Sequence, residues 1–386
     1  MRKRVHKTSM GVALIVLALA LPVAGVSKSS GSALPTQIGP GEGELKMIAW
    51  EGYLDKSWVG PFEKQTGCKI KAKYAGSSDE MVTLMRSGGG GQYDMVSASG
   101  DASLRLIAGG DVSETNVKLV KPWRDFHAAF KSPSTNTVGG KHYGISLQFG
   151  PNVLLYNTKK ERPPPSSWSA IYDPGNKGQI TVPDNSIQIA DAALYLSKKQ
   201  PSLRIKDPYE LDSKQFAAAI ALLKKQRPLV KKYWVLASDQ IDLFKNGGST
   251  LGASWPYMLA QLLPAGAPVA YVSPKEGVTG WLDTWMLSSK SEHPNCAYKW
   301  WNYISTPKVQ AMQGVTWGET PVNKKACSYM NKLTKGSCDQ YSANEPAAYY
   351  RSIKFWKTPL SDCGDARGKV CMPASKWAQA WTQVKG

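Results

Sequence analysis

The stretch Pro274-Lys275-Glu276-Gly277-Val278-Thr279-Gly280-Trp281-Leu282-Asp283-Thr284-Trp285 decides how this chain is read. A Pro-Lys-Glu-Gly turn leads into an apolar run that predicts a strand, and residues two apart on a strand project from one face. Trp281 and Asp283 therefore point the same way. An indole face beside a carboxylate offers a cationic amine both cation–π attraction and a charge-assisted hydrogen bond. Aromatic and acid meet again at Trp50-Glu51, and more loosely at Trp255. These separated pieces predict a cleft that holds one cationic amine.

Upstream, Glu44 to Trp50 reads as a strand, Trp58 to Thr66 as a helix and Cys68 to Ala75 as a strand. Ser78 to Arg86 reads as a helix with Met81, Leu84 and Met85 on one stripe, and Tyr93 to Ser99 as a strand. This alternation predicts a parallel sheet, and ligands gather at the carboxyl ends of such strands. Trp50, Glu51, Ser99 and Asp101 would then share one mouth, with helix capping the competing role for Ser99 and Asp101. The glycine run Gly88 to Gly91 precedes a strand and carries no GK[ST], so it is read as a turn and not as a phosphate cradle. A second unit of strands and covering helices occupies about 148–275, with Asp184 and Trp255 at its strand ends. Gly280 to Leu287 and the helices Asn295 to Ile304 and Pro307 to Val315 follow. Trp317-Gly318-Glu319-Thr320-Pro321 is read as a turn, and a final helix covers Ala374 to Val384.

At 386 residues, two domains are the default. The basic opening Met1 to Lys7, the apolar run Met10 to Val26 and the small residues that follow have the layout of a secretory signal, or of an uncleaved anchor. Residues 27–43, rich in Ser, Gly and Pro, predict a flexible tether. Export makes sense of six cysteines, since disulfides persist outside the cytosol. Closeness in sequence favours Cys327–Cys338 and Cys363–Cys371, leaving Cys68–Cys296; a zinc site is the competing use, but no CxxC pair is present. The net charge of +19 raises the question of nucleic acid, yet the lysines are scattered and no reading motif accompanies them, so a solvated basic surface is the expectation. A basic protein that binds a cation must make its site locally acidic.

No GxSxG, HExxH or Walker sequence occurs, and His127, His142 and His293 stand apart from any motif. The expectation is a protein without catalytic residues, metal or cofactor. The rival is a carbohydrate-binding protein or a glycoside hydrolase, because sugars also stack on tryptophan and acids could pair as in glycoside cleavage.

From about Glu44 to Trp356 the chain resembles the extracytoplasmic spermidine/putrescine-binding proteins of ABC importers. The marks are Trp50-Glu51-Gly52-Tyr53-Leu54, Phe62 to Gly67, Tyr93 to Val96 running on to Ser99, and Ser167-Trp168. Then come Tyr172-Asp173-Pro174 with Lys177-Gly178, Leu251-Gly252 ending in Trp255, and Pro274 to Gly277 leading to Trp281 and Asp283. The resemblance implies a type II two-lobe α/β fold with a central cleft and crossing hinge strands. It puts 44–147 and 281–322 in lobe 1, and 148–278 and 326–386 in lobe 2. It also implies that Trp50, Tyr53, Ser99 and Asp101 line one wall and Asp184 and Trp255 the other, with Trp281 and Asp283 beside the hinge and Trp317 standing for a family aromatic. Trp255 and Trp281 would sandwich a methylene chain. Where relatives usually carry an acid this chain has Gly52; where a second acid usually follows Asp184 it has Ile187-Gln188; and a polar neutral position near Trp356 is Lys357. A shorter diamine or another amine is therefore in view. The expected partners are the amine and the permease subunits, with the protein a monomer in the periplasm or at the outer face of the membrane.

Overall fold

Two β-sheets, each covered by helices, form two lobes, and the chain passes between them three times. The structure, a computed structural model, describes residues 34–87 and 91–386, the side chains of 351 and 352 excepted. The signal or anchor segment 1–26, the first part of the tether and residues 88–90 of the glycine run lie outside the described residues.

The local signals act as the sequence suggests. Asp55 accepts a hydrogen bond from the Ser57 N–H at 2.8 Å to start helix Lys56–Thr66, and Gly67, at φ 74°, stops it. Trp58 and Phe62, one turn apart, are buried against the first sheet, as are Met81 and Met85 on helix Ser78–Arg86.

The first sheet runs Thr320–Pro321, Ile145–Pro151, Thr279–Leu287, Met95–Ala98, Glu44–Ala49, Lys69–Tyr74, with Lys354–Phe355 alongside Thr279–Leu287. Strand Glu44–Ala49 pairs in parallel with both Lys69–Tyr74 and Met95–Ala98. Strand Thr279–Leu287 enters from the other lobe and lies antiparallel to Met95–Ala98 and to Ile145–Pro151. It is buried along its whole length, which is why it reads as one continuous apolar run. The second sheet runs Val269–Val272, Val153–Asn157, Leu251–Ser254, Ile180–Pro183, Val230–Trp234.

The crossings fall at Asn152, at residues 273–278 and after Phe355. The apolar stretch Gln148 to Asn157 is thus two strands, one in each sheet, broken where Asn152 donates its N–H to Thr279 O at 2.8 Å. The resemblance puts all of 326–386 in lobe 2; the structure divides it. Met330 packs with Ala311 of the first lobe, Tyr350 joins the cluster holding Phe130 and Phe149, and only from Trp356 onward does the chain join Leu223, Trp377 and Trp381 of the second. Three disulfides form, Cys68–Cys296, Cys327–Cys338 and Cys363–Cys371, with no free cysteine among the described residues. The Cys327–Cys338 bridge therefore belongs to the first lobe, not the second.

Candidate functional site

Asp283 lines one end of the cleft, at an irregularity in its own strand pairing. The register with Ile145–Pro151 runs to Leu282↔Phe149 and resumes at Thr284↔Ser146, so Leu147 and Gln148 together oppose Asp283. Such bulges re-aim side chains. The carboxylate is 1% exposed. Tyr53 Oη donates to one of its oxygens, and Ser99 Oγ donates to the other at 2.5 Å. Ser99 precedes helix Gly100–Ala108 yet makes no side-chain cap, so its hydroxyl serves Asp283 instead of the helix. Burial pushes the Asp283 carboxyl up to about 7, with the nearby Asp101 charge adding to the rise and the two hydroxyls opposing it.

A second acid, Glu319, closes the same end. Helix Pro307–Trp317 stops at Gly318, at φ 69°, and the chain turns into Thr320–Pro321, which pairs with Phe149 and Gln148. Gln148 Nε2 donates to Glu319 Oε2. Burial, and then the Asp283 charge, hold the Glu319 carboxyl well above the usual range. Tyr53 is pushed up as well, by burial and by both acids.

Around this end stand Trp50, Tyr53, Trp255, Tyr257, Trp281 and Trp356, with Glu51 and Ser99 completing the lining. Ring centroids lie 5.8 Å apart for Trp50–Trp255, 5.6 Å for Trp255–Trp281 and 6.3 Å for Trp281–Trp356. Trp281 fits because Gly150 lies against it: a Cβ there would stand 2.5 Å from the indole. Among the described residues, no lysine, arginine or histidine lines the space. The enclosed volume is about 20 Å³, room for a water and not for a four-carbon amine. The lobes meet across the mouth through Ser186 Oγ donating to Asp79 at 3.1 Å and Gln261 Nε2 donating to Thr316 O at 3.2 Å.

Of the ten residues singled out from sequence, seven line this space: Trp50, Glu51, Tyr53, Ser99, Trp255, Trp281 and Asp283. Glu51, however, is occupied elsewhere, taking hydrogen bonds from Ser238 N at 3.0 Å and Ser238 Oγ at 2.9 Å on the opposite lobe. Asp101 does not line the space; its carboxylate accepts from Ser78 Oγ at 2.8 Å. Asp184 is turned away by Lys385 Nζ at 2.6 Å and Trp381 Nε1 at 2.8 Å, both on the C-terminal helix. Trp317 stacks beneath Tyr53 at 4.5 Å and 19°, and donates to Gly52 O at 3.2 Å, so it supports the wall without forming it. Trp255 and Trp281 do not face each other across a slot: they tilt together at 56°, each covering the other's apolar surface. Lys357 brings no ammonium to the cleft, since Asp207, at 3.0 Å, and Glu210 hold it.

Sequence reasoning missed Glu319, Tyr257 and Trp356. Tyr257, two residues past Trp255, fills the room over Gly52, where a Cβ would stand 3.0 Å from its Oη. Gly52, at φ 91°, both bends the chain and admits that ring. Trp356 closed the resembling stretch without being assigned to it. Glu319 carried no signal beyond its place after a helix-ending glycine.

Two lobes joined by crossing strands over a buried, acid-bearing cleft have the architecture of a solute-binding protein. The family model for bacterial extracellular solute-binding proteins matches residues 57–335, and this chain belongs to that family. Among its relatives is the putrescine/cadaverine-binding protein of Pseudomonas aeruginosa, 24% identical over 280 residues, covering 68% of this chain and 74% of that one. Another is the spermidine/putrescine-binding periplasmic protein of Escherichia coli, 23% identical over 283 residues, covering 73% and 78%. A solved structure of a putative spermidine/putrescine ABC transporter from Listeria monocytogenes superposes with TM-score 0.75 at 19% identity, covering 89% of this chain and 99% of that one. The Agrobacterium tumefaciens protein MotA, in complex with glucopine, superposes with TM-score 0.68 at 16% identity, covering 89% and 100%. The fold is shared by proteins with different guests, so the guest must be argued from the site. No helix among the described residues is long and apolar enough to cross a membrane.

Proposed function

We propose that this exported solute-binding protein captures an amine of the putrescine/spermidine class and presents it to the permease of an ABC importer. The observation that carries the reading is the charge balance of the cleft. In a chain of net charge +19, Asp283 and Glu319 are buried together with neutral donors and, among the described residues, no basic side chain. A carboxylate left in low dielectric without a counter-ion is costly, and a cationic guest supplies that counter-ion. Asp283 takes the ammonium, and the indoles of Trp50, Trp255 and Trp281 cover the methylenes and add cation–π attraction. The names of the relatives agree with this assignment.

An ammonium bound this way cannot enter the closed cleft, so the lobes part about the three crossings, admit the guest and shut. The guest-filled form, wider than the shape in which Glu51 is bridged to Ser238 over a space of about 20 Å³, is what a permease would engage. Calorimetric titration with putrescine, cadaverine, spermidine and agmatine tests the reading. At least one should bind tighter than about 100 µM. Binding of none of them, with binding of a sugar or an anion instead, would overturn it.

A further inference from the structure

We propose that Glu319 is a specificity-determining residue that makes this cleft select guests with N–H-bearing cationic heads over fully alkylated ones. The inference rests on the amine reading above and goes further, to the kind of head the site accepts. The aromatic surround alone would not discriminate, because cation–π attraction depends on charge and not on donors, and tryptophan cages hold quaternary ammonium ions well. Discrimination requires acceptors, and the cleft keeps two carboxylates at one end. Asp283 already receives Tyr53 Oη and Ser99 Oγ, one on each oxygen. Glu319, 4% exposed, receives only Gln148 Nε2 among the described residues, and on a single oxygen. It is the acceptor with capacity to spare.

A primary ammonium has three N–H donors and a guanidinium five, so either can bridge both acids. A trimethylammonium head has none. It would leave both carboxylates buried without hydrogen bonds from the guest, and a site built for donors rejects a guest lacking them more strongly than lost packing would suggest. Glu51 does not supply the second acceptor in this closed form, because Ser238 takes both of its oxygens.

The test compares putrescine with choline by calorimetry on the wild-type chain and on Glu319→Gln, which keeps shape and removes charge. Glu319→Asp, shorter by one methylene and still acidic, controls for folding. The wild type should prefer putrescine by at least about tenfold. Glu319→Gln should lose at least about tenfold in putrescine affinity while choline changes by less than about threefold, collapsing the preference. Should Glu319→Gln melt early, the Glu319→Asp chain should still hold the preference but bind putrescine more weakly than wild type. Putrescine affinity left within about twofold by both substitutions would overturn the role of Glu319 while leaving the amine reading intact. Failure of the wild type to bind any amine would instead strike the proposed function.

Discussion

Asp283, inside strand Thr279–Leu287, and Asp184, just past strand Ile180–Pro183, are both expected at the cleft from sequence, and the structure gives them opposite fates. Asp283 is enclosed by Tyr53 and Ser99, which donate hydrogen bonds to it, and by indole rings, and none of these carries a charge. Asp184 is neutralised on the spot by Lys385 and by Trp381 Nε1. A carboxylate already paired with an ammonium from its own chain has little left for a guest. One that lacks such a partner is costly until a cation arrives. The comparison teaches that a binding acid is recognised by what it is denied, as much as by where it sits.

Two substitutions sharpen the contrast, the larger first. Asp283→Asn removes the charge that the guest must meet, and putrescine affinity should fall by at least about tenfold in calorimetry, since a charged hydrogen bond is worth about 1.5–3 kcal/mol. Asp184→Asn breaks only a partly exposed pair made within the second lobe. It should leave the affinity within about twofold and cost about 1 kcal/mol or less of stability in denaturant melts. Equal losses of affinity at the two positions would break the distinction.

Much of this arrangement was legible before the fold was known. The period-two spacing of Trp281 and Asp283, and the strand-end position of Trp50 and Ser99, are local patterns that the sheet preserves. What was not legible depends on distant segments. Glu319 lines the same space as Asp283 only because Thr320–Pro321 pairs with Phe149 and Gln148, and no spacing in the sequence encodes that register. Asp184 was misplaced because Lys385, which claims it, lies 201 residues further on. The division of 326–386 between lobes was hidden for a similar reason. Lys354–Phe355 is a two-residue strand whose whole identity comes from pairing with Thr279 and Gly280. Glu51 lies at the mouth, and its bond to Ser238, on the other lobe, has no counterpart in any local pattern of the sequence.

The elevated carboxyls also give the account its sign with pH. Folded Asp283 keeps its proton to about pH 7, against an ordinary value of 3.8, so across that window the native state holds more protons than the unfolded chain. The stability of the guest-free protein therefore falls as pH rises through the window, while a bound cation, which needs the ionised acid, is favoured by the same rise. Proton release on binding is the most direct measurement of the central claim. Putrescine titrated into the full chain near pH 6.5, in buffers of different ionisation heat, should release about one proton or more per amine bound, with affinity rising toward pH 8. Binding without proton release, at an affinity flat across the same range, would contradict the claim that the guest replaces protons on a buried acid pair.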